Sequence, residues 1–397
     1  MITRAKSLRR SERATPFASA LVILLCAHAS AAGATARRTA ADSAPEQQTP
    51  SVYAATRQSA SVSADEVARA IELARRGALG EEEFARARAV GYVLIREGRF
   101  AEAAELFTAL AAQKPRDAAS LYGAALATFN AGRAADAEPL ARRAADAALA
   151  RSTDAHDARG SDSAHGAGSD SAPGTSAADA LVLLAVVLAV RGDDAGALKT
   201  AERAAALDPR NFDAQFTLGR ARFGAGDDAG AAAAFRAAVV LRPEEPRALF
   251  FLATTLEHAG DDAGALAAYK ELATRQPRAA EGHMGLGVLL VKRGGADVDE
   301  GLRELGRAVE IDPNLYEARV ALGRALVARG RAAEAVPHLQ RAAALAPDNP
   351  EPHYQLSLAY RRLGRKEEAA AESETVKRIH ESRRASGAQQ AGTPPPQ

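Results

Sequence analysis

A glycine recurs at positions 98, 132, 192, 226, 260, 294, 330 and 364, and five of the seven intervals between neighbours are 34 residues. A fixed period of this length restricts the chain to a stack of small supersecondary units, each burying its apolar face against the next. The three middle copies read Gly192-Asp-Asp-Ala-Gly-Ala197, Gly226-Asp-Asp-Ala-Gly-Ala231 and Gly260-Asp-Asp-Ala-Gly-Ala265. The copies at Gly132-Arg-Ala-Ala-Asp-Ala137 and Gly330-Arg-Ala-Ala-Glu-Ala335 keep the outline.

Aligning the glycines divides the chain into eight repeats: 84–117, 118–151, 178–211, 212–245, 246–279, 280–315, 316–349 and 350–383. Each is expected to be two helices and a turn. In the fourth, Phe212, Phe216 and Gly219 share a first helix that Gly226 closes in the left-handed conformation. Asp227 or Asp228 caps the second helix, which carries Ala231, Phe235 and Ala238 and stops at Pro243. Between the second and third repeats lie 26 extra residues, 152–177 counting both ends, rich in Ser, Asp, Gly, Ala and His and expected to be an irregular insert. The sixth repeat carries two more residues, around Gly295 to Asp299. Small residues recur where the paired helices must approach: Gly91, Ala125, Ala185, Gly219, Ala253, Gly287, Gly323 and Ser357 on first helices, and Ala103, Ala137, Ala197, Ala231, Ala265, Gly301, Ala335 and Ala369 on second ones.

Residues 84–383 resemble the tetratricopeptide repeat family. The resemblance rests on the period, the pairs Leu218-Gly219, Leu286-Gly287 and Leu322-Gly323, the recurring alanines, the large residues Phe107, Phe235, Tyr269, Leu305 and Leu339, and the closing prolines Pro115, Pro209, Pro243, Pro277, Pro313 and Pro347. The family's early tryptophan is missing throughout, and the second repeat lacks its terminal proline. The resemblance implies an all-α fold, a right-handed α-solenoid of about eight helix-turn-helix repeats, whose first helices line a groove for a protein or peptide partner. Carried over by position, the groove residues are Tyr92 and Arg96; Tyr122, Phe129 and Asn130; Phe216, Arg220 and Phe223; Phe250 and Glu257; Lys292; Arg324; and Tyr354, Arg361 and Arg362. Aromatic rings in the middle and charge towards the end suit an extended or helical peptide held by a few anchors. Packing of Phe216 and Phe250 against adjacent repeats is the alternative use for those rings.

Ahead of the repeats, Ser63-Ala-Asp-Glu66 has the capping-box pattern, which places an N-terminal capping helix in 62–83. Residues 33–61, rich in Ala, Thr, Ser, Gln and Pro, read as a flexible tether. Residues 1–32 have the outline of a secretory signal peptide. Arg4, Lys6, Arg9, Arg10 and Arg13 precede an apolar run from Phe17 to Ala29, with small-x-small cleavage sites at Ala27–Ala29 and Ala29–Ala31. Export to the periplasm or outside the cell is the expectation. Cys26, the chain's one cysteine, either leaves with the signal or is retained as a lipid anchor. The mature chain is expected to have no transmembrane span, and residues 384–397 to be an irregular tail.

With 51 basic against 50 acidic residues the net charge is +1, which gives no large field to draw in nucleic acid. The repeated Asp-Asp pairs could suggest metal binding or acid-base chemistry. Their place after a turn glycine and before a helix, together with the Arg-Ala that replaces them elsewhere, makes them helix caps. The histidines show no i, i+3 or i, i+4 clustering, and Asp154 to Asp170 is the one stretch where His and Asp concentrate. Gly224-Ala-Gly226 follows a helix rather than a strand, so it is a repeat turn and not a phosphate loop. No catalytic residue, metal or cofactor is expected. The reading is a non-catalytic scaffold for a protein or peptide outside the cytoplasm, with a structural part in an envelope export or assembly complex as the alternative.

Overall fold

The computed structural model describes residues 62–159 and 176–391, which hold seventeen α-helices and no strand. The expected signal peptide, the tether, residues 160–175 of the insert and the end of the tail lie outside the described residues. The chain divides into two compact units, with the boundary after Ala234.

In the first unit the helices are α1 (Ala64–Arg75), α2 (Glu81–Arg96), α3 (Phe100–Gln113), α4 (Ala118–Asn130), α5 (Ala134–Arg159), α6 (Ala177–Val190), α7 (Asp194–Leu207) and α8 (Phe212–Ala225), followed by the start of α9 (Asp228–Leu241). In the second, after the rest of α9, come α10 (Pro246–His258), α11 (Asp262–Arg275), α12 (Ala280–Arg293), α13 (Asp297–Ile311), α14 (Tyr316–Ala328), α15 (Ala332–Leu345), α16 (Pro350–Arg362) and α17 (Lys366–Ala391). Inside each unit a helix packs on its successor, and each first helix also meets the first helix of the next repeat, as α2 meets α4 and α14 meets α16. This is the paired-helix layout that the period predicts.

The local chemistry explains the periodic breaks. All eight recurring glycines adopt positive φ, from +74° at Gly364 to +86° at Gly226, a conformation that costs other residues strain. At the other end of the repeats that close on proline, the residue before it is driven out of the helical region. Lys114, Asp208, Gln276, Asp312 and Ala346 all leave their helices with ψ between 70° and 97°.

Two turn chemistries start the second helices. In the middle copies the first aspartate of each pair is the cap: Asp193, Asp227 and Asp261 each accept from the backbone N–H three residues on, at 2.9 Å. That position is Gly196, Gly230 or Gly264, and a Cβ there would press on the capping carboxylate. In the first, seventh and eighth repeats an arginine follows the turn glycine and pairs with a glutamate three residues on, as in Arg99–Glu102 (2.6 Å) and Arg331–Glu334 (2.7 Å).

The helix pairs close on glycine and alanine. In the first unit the fully buried Phe107 lies between Gly91 of its own repeat and Gly123 of the next; a Cβ at Gly91 would sit 2.6 Å from the ring and one at Gly123 closer still. In the second unit the same place belongs to Tyr269, packed on Gly285, with its hydroxyl 3.1 Å from Thr254 Oγ1. Burial pushes the Tyr269 phenol up to about 12 against the opposing pull of that hydrogen bond.

Three boundaries differ from the sequence expectation. α2 begins at Glu81, three residues before position 84, because Gly80 starts a capping box closed by Glu83. α5 continues through 152–159, past the end set for the second repeat, which lacks the proline that halts the others. α17 runs on to Ala391 across the boundary placed at 383, again with no proline to stop it.

Candidate protein-binding face

The first helices of each unit carry the side chains assigned to partner contact, and the two units present them differently. In the first unit most of these side chains are packed. Every residue of α4 is buried, including Tyr122, Phe129 and Asn130. Burial, reinforced by Asp179, Tyr92 and Asp213, lifts the Tyr122 phenol well above the usual tyrosine range. Asn130 Nδ2 donates to the Leu126 carbonyl at 3.0 Å, while its Oδ1 is buried without a partner. Tyr92 is half-buried: its hydroxyl donates to the Ala119 carbonyl at 3.1 Å and its ring meets Phe107 edge-on at 4.9 Å. On α8, Phe216 and Phe223 are buried, Phe216 stacking on Phe212 at 5.7 Å, and Arg220 is half-buried. Arg96 is exposed.

These positions correct the expectation of open aromatic anchors in mid-array. Tyr122, Phe129, Phe216 and Phe223 fill the spaces between helices of an alanine-rich chain, where slim side chains leave room that only a ring closes.

In the second unit the face is more open. Phe250 on α10 is half-buried against Phe251 at 5.8 Å and Tyr269 at 6.2 Å. Lys292 of α12 bridges Glu257 at 3.3 Å and Asp262 at 3.5 Å. Partial desolvation opposes the lysine's charge, and the two carboxylates outweigh it, so its pKa rises. Arg324 on α14 is exposed. On α16 Tyr354 is 51% exposed, Arg361 reaches Ser373 Oγ at 3.4 Å, and Arg362 donates to the Val327 carbonyl. Aromatic and cationic groups thus stand open on α14 and α16, suited to grip a partner's acidic or aromatic side chains.

Sequence reasoning missed the polar ties between consecutive first helices. The Arg88 guanidinium lies 3.3 Å from the Asp117 carboxylate, and Asn211 Nδ2 donates to Asp179 Oδ1 at 2.8 Å. Their separations of 29 and 32 residues, close to one period, were the available signal. It also missed two histidine clasps, His283 with Glu304 and His353 with Glu372, each with Nδ1 at 2.6 Å from a carboxylate oxygen of the paired helix. Among the described residues no group of three or more His, Cys, Asp or Glu side chains converges as a metal site would require, and no helix is long and apolar enough to cross a membrane.

Family models described as tetratricopeptide repeat match residues 88–152, 216–277 and 350–379, and one described as TPR repeat matches 323–364. Among solved structures, the chain is similar to one from the APC/C hetero-tetramer Cut9–Hcn1, at 14% identity and a TM-score of 0.50, covering 74% of this chain and 52% of that one. TTC0263, a thermophilic TPR protein of Thermus thermophilus, is 26% identical over 42% of this chain and 91% of its own, with a TM-score of 0.35. YrrB, described as a TPR protein with an unusual peptide-binding site, is 20% identical over 44% of this chain and 89% of its own, also with a TM-score of 0.35. Among curated proteins none matches this sequence.

Proposed function

We propose that this chain, which carries tetratricopeptide repeats, is a non-catalytic scaffold that holds a peptide or protein partner on the first-helix face of its second unit, outside the cytoplasm. Tetratricopeptide repeat proteins generally mediate protein–protein interaction. The carrying observation is the exposure of Tyr354, with Arg324 and Arg361, on α14 and α16, at positions equivalent to those where the first unit packs its side chains away. An exposed tyrosine and exposed arginines on first helices of one unit have the composition of an interface anchor. The near-zero net charge disfavours nucleic acid as the partner.

The proposal of export rests on the basic and apolar segments of residues 1–32. N-terminal sequencing of the protein from its own cells tests it, and an intact Met1 on cytoplasmic material would overturn it. A second reading, a structural part of an envelope export or assembly complex, draws on the Ala-, Ser-, Thr- and Pro-rich stretch 33–61, whose composition suits a tether. Recovery in outer-membrane complexes after salt washing favours that reading; free periplasmic recovery favours the first.

The partner face is tested by affinity purification from an envelope extract of the source cells. A chain with Tyr354→Ala, Arg324→Glu and Arg361→Glu should lose the partner while keeping its helical circular dichroism. Equal recovery by the altered and unaltered chains would remove this face from the mechanism.

A further inference from the structure

α16 leaves a stripe of four side chains open along its outer side. Glu351, Tyr354, Leu358 and Arg361 follow one another at intervals of three, four and three residues, which sets them on one face of the helix over about 15 Å. Tyr354 is 51% exposed, Arg361 is exposed, and Glu351 and Leu358 are half-buried. The matching stripe on α4, made of Ala119, Tyr122, Leu126 and Phe129, is apolar and buried. There α6 lies alongside, so this side of a first helix is shaped to seat another helix. Among the described residues no further first helix follows α16.

The two ends of the stripe are charged and unspent. Glu351 accepts from Gln355 Nε2 at 3.0 Å and Arg361 reaches the Ser373 hydroxyl at 3.4 Å, but neither forms an ion pair among the described residues. The other charged side chains of α16 are tied within the chain. Arg362 donates to the Val327 carbonyl of α14, and His353 Nδ1 lies 2.6 Å from Glu372 of α17. An order of acid, tyrosine, leucine and arginine is self-complementary. Turned end for end about position 356, a second α16 brings Arg361 opposite Glu351 and Leu358 opposite Tyr354, each pair occurring twice. A parallel neighbour in register would instead set each charge against its own kind.

We propose that the partner seated on this face is a second copy of the chain, docked antiparallel through α16 about a two-fold axis. The proposal rests on the reading of the α14–α16 face as a contact surface and names its occupant. The two Glu351–Arg361 pairs set direction and register, and Tyr354 against Leu358 supplies the apolar centre. One helix from each chain makes a small interface, so the pair exchanges with single chains.

Sedimentation velocity on the purified full-length chain reads this association. The mass should pass from one chain towards two as concentration rises from about 1 µM to about 200 µM, the range suited to a small interface. Arg361→Glu sets like charges opposite one another at both ends of the pair, and so does Glu351→Arg; each should raise the Kd at least about tenfold. Mixed in equal amounts, the two altered chains carry complementary stripes and should pair again. That rescue requires both to be folded, so it separates a lost contact from a lost fold. A chain that stays single at every concentration would overturn the proposal. So would a pair indifferent to both substitutions, or a mixture that fails to associate while each altered chain keeps its helical dichroism. A single chain that still captures a foreign protein through Tyr354 refutes the second copy and sustains the contact-face reading.

Discussion

Tyr122 on α4 and Tyr354 on α16 hold the same place, fifth in their repeats, yet Tyr122 is 8% exposed and Tyr354 51%. The divergence continues down the helices. Gly123 answers to Gln355, Phe129 to Arg361 and Asn130 to Arg362. α4 lies between α2 and α6 on its flanks with α3 and α5 behind it, whereas α16 has α14 on one flank and α15 and α17 behind. Position in the repeat sets which way a side chain leaves its helix. The number of neighbours decides whether that direction leads into a core or into water, and the residue types have followed.

The comparison breaks most visibly if the two helices exchange residues. Phe129→Arg, which copies α16 into α4, should cost on the order of 4 kcal/mol because it buries a charge among apolar groups. The thermal midpoint by circular dichroism reads this directly, and an unmoved midpoint would mean that α4 is not closed in solution. Next in size is Gly123→Ala, expected to destabilise by about 1–3 kcal/mol because the added methyl meets the Phe107 ring. Alanine is otherwise the better helix former, so a gain in urea resistance would show that the ring can move aside.

Alkali separates the regions more gently. Tyr122 keeps its proton in the folded chain to a pH above the usual tyrosine range. The unfolded chain releases that proton near pH 10, so this contribution to stability is full below about pH 10 and lost as pH rises beyond it. Tyr122→Phe should flatten the alkaline limb of a stability profile, and an identical slope in both proteins would count against burial of the phenol. The smallest effect belongs to Tyr354→Ala. As a surface change it should move stability by no more than about 0.5 kcal/mol. A larger loss in calorimetry would mean that the ring packs in solution and is no open anchor.

Much of the fold was legible because its determinants are local. A left-handed glycine, a pre-proline residue forced out of the helix and an aspartate cap each act within a few residues, and they recur at the same spacing. Even the choice between paired aspartates follows from local geometry, since Asp193, Asp227 and Asp261 are the ones placed to reach the N–H three residues on. The binding face was less legible. Phe129 and Arg361 share a repeat position, and nothing within their own 34 residues says that the first is enclosed. That depends on neighbouring helices a full period away.

The near-identical aspartate turns have a consequence for how such a gene can change. Where Gly192, Gly226 and Gly260 each open the same six-residue word, a slip between copies removes or adds one whole period and rejoins glycine to aspartate with cap and spacing intact. The arginine–glutamate turns share no such uniform text, so a crossover between them and the middle turns would exchange one capping chemistry for the other. The middle of the chain is the stretch best suited to lengthen or shorten by recombination, and it can do so only in whole helix pairs.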